Sequence, residues 1–265
     1  MLPFFLAAQF GLQTQLMETR AHVVIHGCSF ADANDARVQC VLIEPRRKKG
    51  KHAGVVYQHG GGQTMMNYIS EAAMLAESGV VAIIIDPPGR GRPNDMQTMN
   101  GAQIRDWMFE VAASGSRAID ILLARGDVDP ARIGFVGHSY GANAAAIIGA
   151  RDGRPSSYVL IGGTDRFSEH MRTSEAEFWK VYRRRADFDA ALELVKAADA
   201  ANFLPALKAR AVLVQCAKFD MPDLMKSCPA VHDSLRTKKR IEWYPIEHAF
   251  ADAKAAADRI EFLRR

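Results

Sequence analysis

Apolar residues along the chain fall into short β-rich runs separated by longer stretches of helical spacing. The runs are "AHVVIHGCSF" (21–30), "ARVQCVLIEP" (36–45), "AGVVYQH" (53–59), "VVAIIID" (80–86), "RIGFVGH" (132–138), "SYVLIG" (157–162), "AVLVQCA" (211–217) and "RIEWYPI" (240–246). The first two are separated only by "ADAND", which predicts an antiparallel hairpin. The middle runs are nearly continuous in Val, Ile and Leu, as strands buried on both faces of a parallel sheet read.

Helical patterns fill the gaps. Residues 64–78 lead into "SGV", a glycine C-cap signal. Within 101–125, Ile104, Trp107, Met108, Val111, Ile119, Leu122 and Leu123 recur at three- and four-residue steps. Residues 140–150 are small and apolar, and 248–264 read as an Ala-rich closing helix. Strand–helix alternation with right-handed crossovers predicts one α/β domain over 1–265: a mostly parallel eight-stranded sheet with helices on both faces. Residues 164–205 exceed what a crossover needs and are expected to form a helical insertion, a small cap, between the sixth and seventh strands. Its Phe178, Trp179 and Tyr182 suggest an apolar wall for a substrate. The apolar start, "MLPFFLAAQFG", lacks a basic leader and a small-residue cleavage site, so 1–20 is expected to be a helical arm packed on the domain.

Composition narrows the classes little, but charge and cysteine usage do more. A formal net charge of +4 is mildly basic, and its clusters at 46–51, 183–185 and 238–240 lack interleaved aromatics, so no nucleic-acid partner is expected. No apolar run reaches the ~18 residues of a membrane span. None of the four cysteines (Cys28, Cys40, Cys216, Cys228) forms a CxxC, so no metal is expected, and buried free thiols are expected in a cytoplasmic chain ahead of a Cys28–Cys40 disulfide or a secreted one.

The chemistry gathers around Gly137-His138-Ser139-Tyr140-Gly141. G-x-S-x-G alone arises by chance in on the order of one chain in ten of this length. Here it follows a strand and opens a helix, the setting of a nucleophile elbow, in which a sharp turn lifts the serine hydroxyl above the sheet edge. A serine hydroxyl needs a base, and the base an orienting acid. The acid candidates near strand ends are Asp220 first, then Asp223, which also reads as a helix cap, and Asp165, which also reads as the start of the insertion. His248, after the last strand and before the closing helix, is the candidate base. His138 should point away from the hydroxyl. An oxyanion hole needs two backbone N–H groups. Tyr140, following the nucleophile, and Gly61 of "YQHGGGQ" are the candidates, with Gly62 next, and His59 is expected to hold that loop. Arg90 and Arg92 of "DPPGRGRP" are expected near the site mouth.

The segments "HGGG" (59–62), "DPPGRG" (86–91), "GHSYG" (137–141), "CAKFD" (216–220) and "EHAF" (247–250) together resemble the α/β-hydrolase family from about residue 20 to the end. The likeness is greatest to dienelactone-hydrolase-like and small carboxylesterase branches. Two departures stand out: dienelactone hydrolases use a cysteine nucleophile where this chain has Ser139, and Glu247 stands where the family commonly has glycine. The resemblance implies a Ser139–His248–Asp220 triad, an oxyanion hole from Tyr140 and Gly61, and hydrolysis of small to medium carboxylic esters without a cofactor. Gly62, Arg90, Phe178 and Trp179 are the expected substrate contacts. A thioesterase or amidase/peptidase is the alternative, and a non-catalytic binding protein on the same fold ranks last. The expected partner is a small-molecule ester, and a homodimer is compatible with this reading.

Overall fold

A computed structural model describes residues 10–47, 50–87 and 93–264. Nine strands form one sheet in the order β1-β2-β3-β5-β4-β6-β7-β8-β9. They are β1 (Gln13–Thr19), β2 (Val23–Ala31), β3 (Arg37–Pro45), β4 (His52–Gln58), β5 (Val80–Asp86), β6 (Val128–His138), β7 (Ser157–Ile161), β8 (Ala211–Ala217) and β9 (Lys239–Tyr244). From β4 to β9 every pairing is parallel. The β2–β3 hairpin is antiparallel, as its short polar connection predicts, and β3 joins β5 antiparallel.

The helices are α1 (Ile69–Glu77), α2 (Pro93–Thr98), α3 (Gly101–Ala124), α4 (Tyr140–Arg151), α5 (Phe167–Thr173), α6 (Glu177–Tyr182), α7 (Phe188–Val195), α8 (Pro222–Ser234) and α9 (Ala253–Arg264). They cover both faces of the sheet. One apolar cluster joins Val56, Ile83 and Phe135 of the sheet to Ile104, Trp107 and Ile119 of α3 and Ala144 and Ile148 of α4. The other joins Val55, Ile84 and Val136 to Ala72 and Leu75 of α1 and Ile260 and Leu263 of α9. Alternate residues of each central strand thus feed opposite cores, which is why these strands read as unbroken apolar runs. The second core also buries an ion pair: Arg259 contacts Glu71 at 2.6 Å, with the two side chains 3% and 8% exposed.

Three expectations are corrected. The sheet has nine strands rather than eight, because Gln13–Thr19, inside the expected helical arm, extends along β2 with Gln13 opposite Ser29 and Thr19 opposite Val24. All seven of its residues are exposed, so backbone hydrogen bonds hold it and its side chains carry no burial pattern to read. Residues 1–9 of the expected arm, like Arg90 and Arg92, lie outside the described residues. The cysteines are not free: Cys28 pairs with Cys40, its direct cross-strand neighbour, and Cys216 of β8 pairs with Cys228 of α8.

The insertion is helical, comprising α5, α6, α7 and three short 3₁₀ turns between β7 and β8. Its Trp179 and Tyr182 are almost fully buried, and Trp179 packs edge-on against Phe167 and Tyr182. The Tyr182 hydroxyl donates to the Met99 carbonyl at 2.9 Å, tying the insertion to the α2–α3 connection.

Candidate active site

The parallel strands deliver their chemistry at their carboxyl ends. At the end of β6, Ser139 has φ 54° and ψ −118°, a left-handed conformation costly to a residue with a Cβ. Its amide donates to the Ile161 carbonyl at 2.8 Å, and its carbonyl accepts from Ala142 at 2.9 Å, so the strand on one side and α4 on the other hold the turn. The flanking glycines answer to close approach. A Cβ on Gly137 would run into the Gly141 carbonyl, and one on Gly141 would stand 2.5 Å from the Gln58 carbonyl oxygen.

Three side chains far apart in sequence meet at this turn. His248 Nε2 is 3.1 Å from Ser139 Oγ. On the other side of the ring, Nδ1–H donates to Asp220 Oδ2 at 2.9 Å. Asp220 Oδ1 accepts the Met221 amide at 2.8 Å, which sets the carboxylate plane, and its side chain is 3% exposed against 29% for His248. Asp220 follows the buried strand β8 and His248 follows the edge strand β9, so each sits where a strand releases the chain into a loop. The other two aspartates are elsewhere engaged: Asp165 accepts from Ser227 at 2.7 Å, and Asp223 pairs with His170.

His138 points away from the hydroxyl and braces the loops around it. Its Nε2 donates to the His248 carbonyl at 2.8 Å, and its Nδ1 lies 2.6 Å from Gln63 Oε1. Gln63 Oε1 also accepts the Gly60 amide at 3.0 Å. Burial, reinforced by the neighbouring His248, holds the His138 pKa well below the usual imidazole value. His59 is fully buried; its Nε2 lies 2.8 Å from Asp86 Oδ1, and its Nδ1 lies 2.8 Å from the Gly60 carbonyl oxygen and 3.1 Å from the Tyr140 hydroxyl. The glycine loop is therefore anchored from both ends, and burial raises the Tyr140 phenol above its ordinary pKa.

Ser139 and His248 open onto a cavity of about 160 Å³. Gly61 and Tyr140 line it beside them. Tyr140 is the first residue of α4, where amides have no partner within the helix. Its far wall is apolar and comes largely from the insertion: Phe167, Ala176, Phe178 and Trp179, with Met96, Trp107 and Met221. Phe178 and Trp179 thus stand where a substrate contact was expected, whereas Gly62 is not on the wall. Sequence reasoning missed two participants. Gln63 closes the "YQHGGGQ" segment, which by itself assigns it no role, His170 lies in no motif, and their partners are 75 and 53 residues away in the chain. Among the described residues no cluster of His, Cys, Asp or Glu could hold a metal, and no helix is long and apolar enough to cross a membrane.

The model of the Alpha/beta hydrolase family matches residues 55–260, a span that holds the elbow, Asp220 and His248. The chain belongs to the α/β-hydrolase family. Solved structures agree on the fold. An acetyl xylan esterase from Paenibacillus sp. R4 superposes with a TM-score of 0.83 at 18% identity, over 98% of this chain and 90% of that one. Acetyl xylan esterase 1 from Thermoanaerobacterium sp. JW/SL YS485 gives 0.77 at 16% identity, over 97% and 88%. A cold-adapted esterase from an Arctic intertidal metagenomic library gives 0.64 at 18% identity, over 94% and 98%. No curated protein matches the chain. In this α/β hydrolase Ser139, Asp220 and His248 follow β6, β8 and β9, at the carboxyl ends of the parallel strands.

Proposed function

We propose that this α/β hydrolase is a serine esterase that cleaves small carboxylic esters through an acyl-enzyme. One observation carries the reading: Ser139 Oγ, the His248 ring and the Asp220 carboxylate form an unbroken hydrogen-bonded chain at a largely apolar cavity. His248 takes the Ser139 proton at Nε2 as Oγ attacks the ester carbonyl carbon. The amides of Tyr140 and Gly61 stabilise the resulting oxyanion. The tetrahedral intermediate collapses, the ester C–O bond breaks, and the alcohol leaves with the proton from His248. Water, deprotonated by His248, then attacks the acyl carbon, and the acid departs as Ser139 regains its proton. Asp220 keeps Nδ1 protonated and stabilises the imidazolium formed in each half.

Substrate size follows from the cavity. At about 160 Å³ it falls below the ~300–1,000 Å³ of pockets for drug-sized ligands, which favours a short acyl group. The acetyl esters named for two structural neighbours accord with that. The two disulfides weigh toward an oxidising compartment and against the cytoplasmic expectation. The deciding experiment is hydrolysis of p-nitrophenyl acetate by wild type and Ser139→Ala. Turnover should fall at least about 10³-fold with the fold unchanged. Equal rates would remove Ser139 as the nucleophile.

A further inference from the structure

The cavity above Ser139 contains one histidine that the hydrolytic chain leaves unused. His170, on α5 of the insertion, lines the cavity together with Ser139 and His248. Its Nδ1–H donates to Asp223 Oδ2 at 2.5 Å, and its ring is wedged against Phe167 and Trp179 at centroid distances of 6.0 and 6.1 Å. Burial works to raise the Asp223 carboxyl, but the hydrogen bond and charge of His170, with the nearby backbone amides, outweigh it and leave Asp223 below its ordinary value. An anionic Asp223 fixes which ring nitrogen is turned outward. Among the described residues Nε2 has no hydrogen-bond partner, and it is not one of the polar atoms sealed away from solvent-sized space. The turn after β8 and the start of α8 thus orient two histidines: Asp220 holds the one that meets Ser139, and Asp223 holds one whose Nε2 meets no hydrogen-bonding group among the described residues.

We propose that His170 Nε2 is a recognition group that hydrogen-bonds a hydroxyl carried by the ester bound in this cavity, an assignment that rests on the esterase reading and names its substrate class. The walls around His170 are largely apolar: Phe167, Ala176, Phe178, Trp179 and Met221. A purely hydrocarbon substrate would cover Nε2 and leave it unsatisfied, a penalty that shows as a preference of about tenfold or more for a substrate that satisfies it. A hydroxyl suits the position in either protonation state of the ring, because it donates to a bare Nε2 and accepts from a protonated one.

The hydroxyl could lie on the acyl or the alcohol side, and matched pairs separate the two. Ethyl 3-hydroxybutanoate against ethyl butanoate tests the acyl side, and glycerol 1-monoacetate against propyl acetate tests the alcohol side. The readout is the ratio of kcat/KM within each pair, which general structural damage leaves alone because it slows both members. Wild type should favour the hydroxylated member of one pair about tenfold. His170→Phe, which fits the aromatic setting without a polar nitrogen, should bring that ratio to about one, and His170→Gln should restore part of it. Asp223→Asn, which loosens the clamp, should lower the ratio as well. Wild-type ratios near one in both pairs would overturn the assignment even if no variant folds, and so would a tenfold preference that survives in His170→Phe without change. A flat ratio with Ser139-dependent turnover overturns this assignment alone. Absence of turnover on all four esters, or turnover that survives Ser139→Ala, overturns the esterase reading and the assignment with it.

Discussion

Replacing Asp220 by Asn changes one atom in the proposed relay and leaves its shape alone. The carboxylate uses Oδ1 to accept the Met221 amide at 2.8 Å and Oδ2 to accept His248 Nδ1–H at 2.9 Å. An asparagine can satisfy only one of these as oxygen. With its oxygen toward Met221, its NH₂ faces Nδ1, which must give up its proton. The ring then carries hydrogen on Nε2 and cannot take one from Ser139. With the amide reversed, NH₂ confronts the Met221 N–H, and a donor is left unpaired at a site 3% exposed. That costs about 1–3 kcal/mol, so the unproductive orientation prevails. The imidazolium also loses its counter-charge, worth about 4 kcal/mol at 4 Å and an effective dielectric near 20. Together these remove about 5–7 kcal/mol from the transition state, or roughly 10⁴-fold in kcat at about 1.4 kcal/mol per decade. The assay is steady-state hydrolysis of p-nitrophenyl acetate, with thermal unfolding of both proteins to show an intact fold. An Asp220→Asn enzyme retaining more than a tenth of the parent kcat would refute the role given to Asp220.

Other expectations concern stability. Gly137→Ala drives a Cβ into the Gly141 carbonyl and to 2.8 Å from the Ala142 nitrogen, both backbone atoms. It should cost about 3 kcal/mol and lower Tm by roughly 6–12 °C, and a calorimetric Tm within 2 °C of wild type would show that the elbow has slack. Glu71→Ala strands Arg259 in the core with Gln215 Oε1, 2.8 Å away, as its remaining side-chain partner. A loss of about 3–5 kcal/mol in urea unfolding is expected, and less than 1 kcal/mol would contradict the packing described. His138 has a depressed pKa in the fold, so below about pH 6.5 the unfolded chain takes up a proton that the folded chain refuses. Stability should hold above that pH and fall by about 1.4 kcal/mol per unit as the pH drops below it toward the folded value. His138→Asn should flatten that limb of the Tm–pH curve, and parallel curves for the two proteins would count against a buried neutral ring.

What could be read from sequence depends on whether a residue's role leaves a mark on its neighbours. Ser139 and Asp220 each follow a strand that is apolar because both its faces are covered, so the burial that makes the strand readable also marks the polar residue at its end. His248 follows the half-exposed edge strand β9 and is marked instead by its place before the closing helix α9. Ser139 carries a further mark: its turn forces the chain so close to itself that Gly137 and Gly141 admit no Cβ. The edge strand β1 leaves no such mark. Its residues face solvent on every side, and the hydrogen bonds that define it belong to the backbone, which has no sequence. The cysteines fall between these cases. Cys28 and Cys40 sit on the two arms of a predicted hairpin, and only its register, with Ser29 opposite Gln39 and Gly27 opposite Val41, makes them face each other. His170 and Asp223 are the hardest case, since one lies on an insertion helix with no motif and the other at a position that a helix start explains by itself. Their pairing arises from how the insertion settles over the sheet, a tertiary event with no local signature. Residues that perform chemistry common to a fold are bound to its recurring turns. Residues that choose the substrate sit on the parts of the chain free to vary, where three-dimensional arrangement is the first place they become visible.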